Sequence, residues 1–148
     1  MTANRDIFYD QARFMRACSQ NPGRFSPENV TLYMKLVEEE RAELRAAVRK
    51  LLRASARRRG KATRSELVGL IAEVADGAID LIYVSAGLLH SCGIPDPHGL
   101  WAEVQRSNMA KVDKRTRKVL RRPDGKVLKP EGWSPPNLAR KVEVQFAT

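Results

Sequence analysis

The chain has 148 residues, 43% of them apolar, with nine glycines and eight prolines. That length supports one hydrophobic core but not two independent ones, and the composition excludes a disordered or fibrous chain. Lysine and arginine number 27 against 17 acids, a net charge of +10, which favours anionic partners (nucleotides, nucleic acid, acidic lipid heads) without choosing among them.

In chain order, residues from about Asn4 to Ser19 read as a first helix, with Ile7, Phe8, Phe14 and Met15 on its packing side, stopped at Asn21-Pro22-Gly23. Ser26-Pro27, a capping residue followed by proline at the first helical position, starts a second helix that runs to about Ala54. The Arg57–Lys61 run is a charged connection. Thr63-Arg64-Ser65-Glu66 has capping-box spacing and opens a third helix that ends near Cys92-Gly93. Its Leu67–Leu89 stretch is long enough to cross a membrane. However, Glu73, Asp76 and Asp80 each cost roughly 2.5–3.5 kcal/mol at a bilayer centre, so a buried helix of a soluble protein with no membrane partner is expected. Asp96-Pro97 begins a fourth helix, through Trp101 and Val104 to about Val112. Beyond it, Pro123-Asp124-Gly125 between two apolar pairs resembles a hairpin turn, Pro130 to Pro136 should be irregular, and Val142, Val144 and Phe146 alternate as a short strand would. Two cysteines, Cys18 and Cys92, are too few for a disulfide framework and no signal peptide opens the chain, so a cytoplasmic location is expected. The fold class is therefore all-α: a four-helix bundle over 1–118 and an irregular carboxy-terminal arm over 119–148, with room for a short β-hairpin.

Turned at 100° per residue, the second helix places Tyr33, Leu36, Val37, Leu44, Ala47, Val48 and Leu51 on one apolar face. Glu40 falls in the middle of that face, Glu43 at its edge and Glu39 further round. A lone carboxylate there is costly and requires a partner. The third helix repeats the anomaly. Leu67, Leu70, Ile71, Val74, Ala78, Leu81 and Ile82 make most of its circumference apolar, while Glu73, Asp76 and Asp80, spaced i, i+3, i+7, form one narrow acid stripe. Gly69, Gly77 and Gly87 lie on or beside that stripe and leave room for an approach. Neither helix offers a base on the same stripe, so salt bridges would need partners from elsewhere. If the stripes face each other, each carboxylate pair at ~5 Å repels by roughly 3 kcal/mol at an effective dielectric of about 20. Several such terms rival the ~5–15 kcal/mol stability of a domain, and bound cations resolve them. The donors are all oxygens, which suits Mg²⁺ or Mn²⁺. Zinc and di-iron chemistry are disfavoured, because no histidine stands three residues after an acid; His90 and His98 read as surface or capping residues. On the fourth helix, Asn108 and Lys111 lie one turn apart and are suited to a phosphate or a base edge.

Leu36-Val37-Glu38-Glu39-Glu40-Arg41-Ala42-Glu43-Leu44 followed by Glu73-Val74-Ala75-Asp76 resembles the ExxE…ExxD signature of the MazG-like, all-alpha nucleoside triphosphate pyrophosphohydrolases. The segment from Glu103 to Val112 is similar to that family's late helix. Asp124-Gly125-Lys126-Val127-Leu128-Lys129-Pro130-Glu131-Gly132-Trp133 and Pro135-Pro136 are similar to the tail of its small bacterial and phage members. The resemblance covers about Phe14 to Leu138. It implies hydrolysis of a (deoxy)nucleoside triphosphate to monophosphate and pyrophosphate, with Glu40, Glu43, Glu73 and Asp76 as Mg²⁺ ligands. Glu39 would then be a further ligand or the base that activates water, with Glu40 beside it in the catalytic pair. Asn108, Lys111 and Arg115 would contact substrate, with Lys111 or Arg115 on phosphate. Asp80, one turn past the motif, would serve as ligand, base contact or support. A homodimer or homotetramer is implied. Other readings are a basic nucleic-acid-binding protein, a nucleotide sensor without turnover, and a phosphoribosyl-ATP pyrophosphohydrolase. Nucleic acid is disfavoured as partner because no stacking aromatics interleave the basic runs.

Overall fold

A computed structural model describes residues 6–56 and 62–146. The Arg57–Lys61 connection lies outside the described residues, among which there are five α-helices and no strand. They divide into two compact units, Met1–Pro95 and Asp96–Thr148.

The first unit holds α1 (Ile7–Ala17), α2 (Pro27–Ser55) and α3 (Arg64–Ser91). Each starts where a side-chain oxygen satisfies an orphan amide: Asp6 accepts from Phe8 N–H at 3.1 Å, Ser26 from Asn29 N–H at 3.2 Å, and Thr63 from Glu66 N–H at 3.1 Å. Three contacts establish the packing of α2 on α3. Lys50 meets Glu73, Leu44 lies against Gly77, and Tyr33 lies against Gly87. Residue numbers rise on one helix as they fall on the other, so the pair is antiparallel. Tyr33 and Ala47 are buried, and Leu36, Val37, Leu44, Val48 and Leu51 are half-buried, the face expected from periodicity.

Gln11 and Met15 of α1 complete this core, at 1% and 0% exposure. Tyr33 accepts a hydrogen bond from Gln11 Nε2 and donates one to Gln20 Oε1, each 3.1 Å; burial holds its phenol above the ordinary range. Phe14 departs from expectation: it is 53% exposed and touches only the edge of Tyr83 among aromatic partners, because Gln11, Ala12 and Met15 occupy the inward face. His90, read as a surface or capping residue, is 3% exposed. Its two ring nitrogens lie 3.1 Å from the Ile94 carbonyl and 3.0 Å from the Phe8 carbonyl, so it ties the end of α3 to the start of α1.

On α3, Ile71 and Ile82 were expected in the core, yet they are 55% and 50% exposed, in line with Val68 and Ile79. Among the described residues of this unit, α1 and α2 are the helices that pack on α3, and Val68, Ile71, Ile79 and Ile82 stay exposed. No helix among the described residues is long and apolar enough to cross a membrane.

The second unit holds α4 (Pro97–Met109) and α5 (Leu138–Phe146). Asp96 caps α4 by accepting from His98 N–H at 3.0 Å. The helix stops at Met109, three residues before the expected Val112. Lys111 N–H and Val112 N–H bond back to Asn108 and Met109, and Val112 then pairs with Val119. The hairpin expected around Pro123-Asp124-Gly125 is present as bridge-type pairing of Arg121 with Val127, closed by Gly125 at φ 82°. Trp101 is 64% exposed. The strand expected at Val142–Phe146 is instead α5. Leu138, Val142 and Phe146 recur at i, i+4, i+8, the helical spacing, and Asn137 Oδ1 accepts from Arg140 N–H at 3.2 Å to start the turn.

Glu103 joins α4 to α5. Its carboxylate takes both Arg106 nitrogens, at 2.8 and 3.0 Å, and the Asn137 N–H at 2.9 Å. Arg106 first, and then the Asn137 amide, hold this carboxyl down to about 2, against an ordinary 4.5. A depressed carboxyl stabilises the fold above its ordinary pKa and loses that contribution as pH falls towards 2. The Asn137 amide should therefore keep its exchange protection above pH 4.5 and lose it between 4.5 and 2. In Glu103→Gln, protection should be lower at neutral pH and insensitive to this window. An unchanged profile by hydrogen exchange would refute the assignment.

Candidate active site

The antiparallel register brings the acids of α2 opposite those of α3. Gly77 eases the approach: a Cβ there would stand 3.1 Å from the Leu44 Cα, a tight contact that would push the helices apart by a few tenths of an ångström. Beside this contact is a cleft of about 270 Å³ lined by Glu43, Ala46, Ala47, Lys50, Glu73, Asp76, Gly77 and Asp80. Glu40 is half-buried within the apolar face of α2, as its position in the heptad pattern requires, and Glu43 is exposed at the edge. Gly69 is open, whereas Gly87 faces Tyr33 and Gln11.

The charges are felt most at Glu40. Burial pushes its carboxyl above the ordinary value, and Glu43, Asp80, Glu39 and Asp76 push it the same way. Four carboxylates from two helices thus act on Glu40, as the facing stripes implied. One expectation is corrected. A base does stand on the α2 stripe: Lys50 Nζ is 2.8 Å from Glu73 Oε2. Lys50 follows Glu43 by seven residues, two helical turns, so the signal was in the spacing. Both partners are about half exposed, and such a pair contributes roughly 0–1 kcal/mol. It neutralises one acid and leaves the others. Glu39 is paired on its own helix, 3.6 Å from Lys35.

The donor chemistry fits a hard divalent cation, being all carboxylate oxygen on two helices, with an ammonium seated on Glu73. Among the described residues no three acidic side chains converge closely enough to hold an ion in the rotamers present.

Asn108, Lys111 and Arg115 belong to the second unit. Asn108 lies in the last turn of α4, and its Oδ1 accepts from Lys111 Nζ at 2.9 Å. Lys111 is past the helix end, not a turn along it as expected. Its ammonium stands 5.3 Å from the centroid of the Trp133 ring, whose Nε1 donates to Ser107 O at 2.8 Å. Arg115 is exposed in the loop that follows.

A sequence model of phosphoribosyl-ATP pyrophosphohydrolases matches residues 9–108, from α1 to the last turn of α4. An all-α chain so matched is a nucleotide pyrophosphohydrolase of the MazG-like superfamily. Within that class it belongs to the phosphoribosyl-ATP pyrophosphohydrolase family. No curated protein matches the chain. The matched region contains every acid of the cleft and Asn108, and it ends before Lys111, Arg115 and the basic arm.

Proposed function

We propose that the protein hydrolyses a nucleoside triphosphate, or a nucleotide built on one, to the monophosphate and pyrophosphate. Water adds at the α-phosphorus, the bond to the α–β bridging oxygen breaks, and pyrophosphate leaves. The observation that carries this reading is Glu40: a carboxyl pushed up by burial and by four neighbouring acids, beside a cleft where the only base is Lys50. Glu40, Glu43, Glu73 and Asp76 would hold Mg²⁺ or Mn²⁺, reached by rotamer changes on helices already in place. Such an ion neutralises the polyphosphate and acidifies water. Glu39, free to leave Lys35, would accept the proton of the attacking water, with Glu40 beside it. Asp80, one turn beyond Asp76, would contact the substrate. Lys111 and Arg115 would take phosphate oxygens and Asn108 a polar edge.

Two substrate classes suit this chemistry equally: an ordinary (deoxy)nucleoside triphosphate, and phosphoribosyl-ATP, for which the matched family is named. Incubation with each of them, with Mg²⁺, Mn²⁺ or a chelator, separates the two by product analysis. Monophosphate and pyrophosphate formed only with metal is the expected result. Metal-dependent binding without turnover would replace the enzyme by a sensor, and neither binding nor turnover would reject the reading. The open stripe of Val68, Ile71, Ile79 and Ile82 on α3 supports a homodimer or homotetramer in which a second copy covers it. A fully active monomer by light scattering would reject that assembly.

A further inference from the structure

We propose that the segment Lys111–Lys129 binds single-stranded nucleic acid, a function additional to nucleotide hydrolysis. Its nineteen residues hold nine lysines and arginines against two aspartates, a net charge of +7 out of the +10 of the whole chain. Both aspartates are engaged inside the segment. Asp113 accepts from Thr116 N–H at 2.6 Å and Thr116 Oγ1 at 2.8 Å, and Asp124 pairs with Arg122 at 2.9 Å. Lys114, Arg117, Lys118 and Lys126 are exposed and make no ion pair among the described residues.

The cations stand on a folded support. Asp113 N–H donates to Lys118 O at 2.9 Å and Arg117 N–H to Asp113 O at 2.8 Å, with Arg117 in the left-handed region at φ 57°. The pairings Val112–Val119 and Arg121–Val127 then run the chain back and forth, with a further bond from Leu128 N–H to Leu120 O at 2.8 Å. The Lys114–Lys118 loop and the Lys126 turn lie at opposite ends of the central segment 119–122. At ~3.3 Å per residue they are separated by roughly 10–13 Å, farther than adjacent phosphates of one nucleotide.

The Lys114 end of this support borders a groove of about 320 Å³. Leu120, 71% exposed, and Leu128, 41% exposed, offer apolar surface; Lys111, Lys114 and Lys129 line it, with Asp113 and Glu131 among its walls. Apolar surface suits the face of an unpaired base, carboxylates suit its exocyclic amino groups, and the lysines suit the phosphates on either side. A duplex keeps its bases stacked and cannot fill the groove. A bilayer would press Asp113 and Glu131 against anionic headgroups. The segment has no aromatic to stack on a base, the ground on which the sequence disfavours nucleic acid; Leu120 and Leu128 supply the apolar contact instead, and binding should show little sequence preference.

The test is fluorescence anisotropy of a labelled single-stranded oligodeoxynucleotide of adenine and cytosine with the full-length protein, across a salt series. Binding is expected, with log K falling linearly in log salt at a slope of about −0.7 per phosphate engaged. Lys114→Gln, Arg117→Gln, Lys118→Gln and Lys126→Gln combined should reduce that slope by roughly 3 and weaken binding at least about tenfold at low salt. Leu120→Ser alone should weaken binding without changing the slope. Glu40→Gln should bind as wild type, which separates this surface from the hydrolytic site whatever becomes of the proposed reaction. No binding, unchanged binding by the fourfold variant, equal affinity for duplex, or preference for phosphatidylserine vesicles would each overturn the proposal.

Discussion

Glu40→Gln should abolish hydrolysis, lowering turnover of the cleaved nucleotide by roughly 10²–10³-fold or more, while leaving the protein folded and equally or more heat-stable. The two effects have one cause. Glu40 is half-buried in the apolar face of α2, and its carboxyl is pushed up first by burial and then by Glu43, Asp80, Glu39 and Asp76. An ionised group in that position opposes folding, and an amide of the same shape does not. The sign is opposite to that of Glu103: a raised carboxyl costs stability as pH rises through the carboxylate range. A cation bound among these acids offsets that cost, so Mn²⁺ should raise the melting temperature of the wild type and raise it less in the variant. A variant that keeps its activity would remove Glu40 from the machinery. One that loses activity only because it unfolds would make Glu40 a structural residue.

Gly87→Ala is expected to be the most destabilising single-methyl addition in the first unit. The added Cβ would overlap the Tyr33 ring and stand 2.6 Å from Gln11 Nε2. Tyr33 is 4% exposed and held between Gln11 and Gln20 by hydrogen bonds, and Gln11 is 1% exposed, so neither can withdraw without losing a buried partner. Gly→Ala within a helix normally gains about 1 kcal/mol. Overpacking costs about 1–3 kcal/mol and a lost buried hydrogen bond a further ~1–3 kcal/mol. The net loss of roughly 1–5 kcal/mol should lower the melting temperature by about 5 °C or more for a unit of this size. Thermal denaturation followed by circular dichroism measures it, and a variant as stable as wild type would show that the Tyr33 pocket is looser than its contacts indicate.

Local chemistry made much of the molecule legible in one dimension. Ser26-Pro27 and Thr63 with Glu66 start helices because a side-chain oxygen reaches an amide two or three residues on, a relation contained within a few consecutive residues. The apolar face of α2, with Glu40 set into it, followed from the 3.6-residue period, and so did the acid stripe of α3. The cleft itself was inferable because two anomalous stripes are costly unless they share a remedy. Lys50 was also readable, two turns after Glu43, and was passed over; its contact with Glu73 is a cross-helix one. The strand expected at Val142–Phe146 failed because Val142, Val144 and Phe146 fit an alternating pattern as well as part of a helical one. The Asn137 cap and the Glu103 clamp decide between them.

By itself, then, the sequence determined the helix starts, the faces of α2 and α3, and the identity of the acids, because these depend on periodicity and on bonds between near neighbours. Only the tertiary structure decided the antiparallel register that sets Glu40 against Asp80 and seats Lys50 on Glu73. It also decided the burial of His90 between two carbonyls and the exposure of Ile71 and Ile82. Each of these depends on which surfaces meet, and that is settled by close approaches such as Gly77 on Leu44 between residues far apart in the chain.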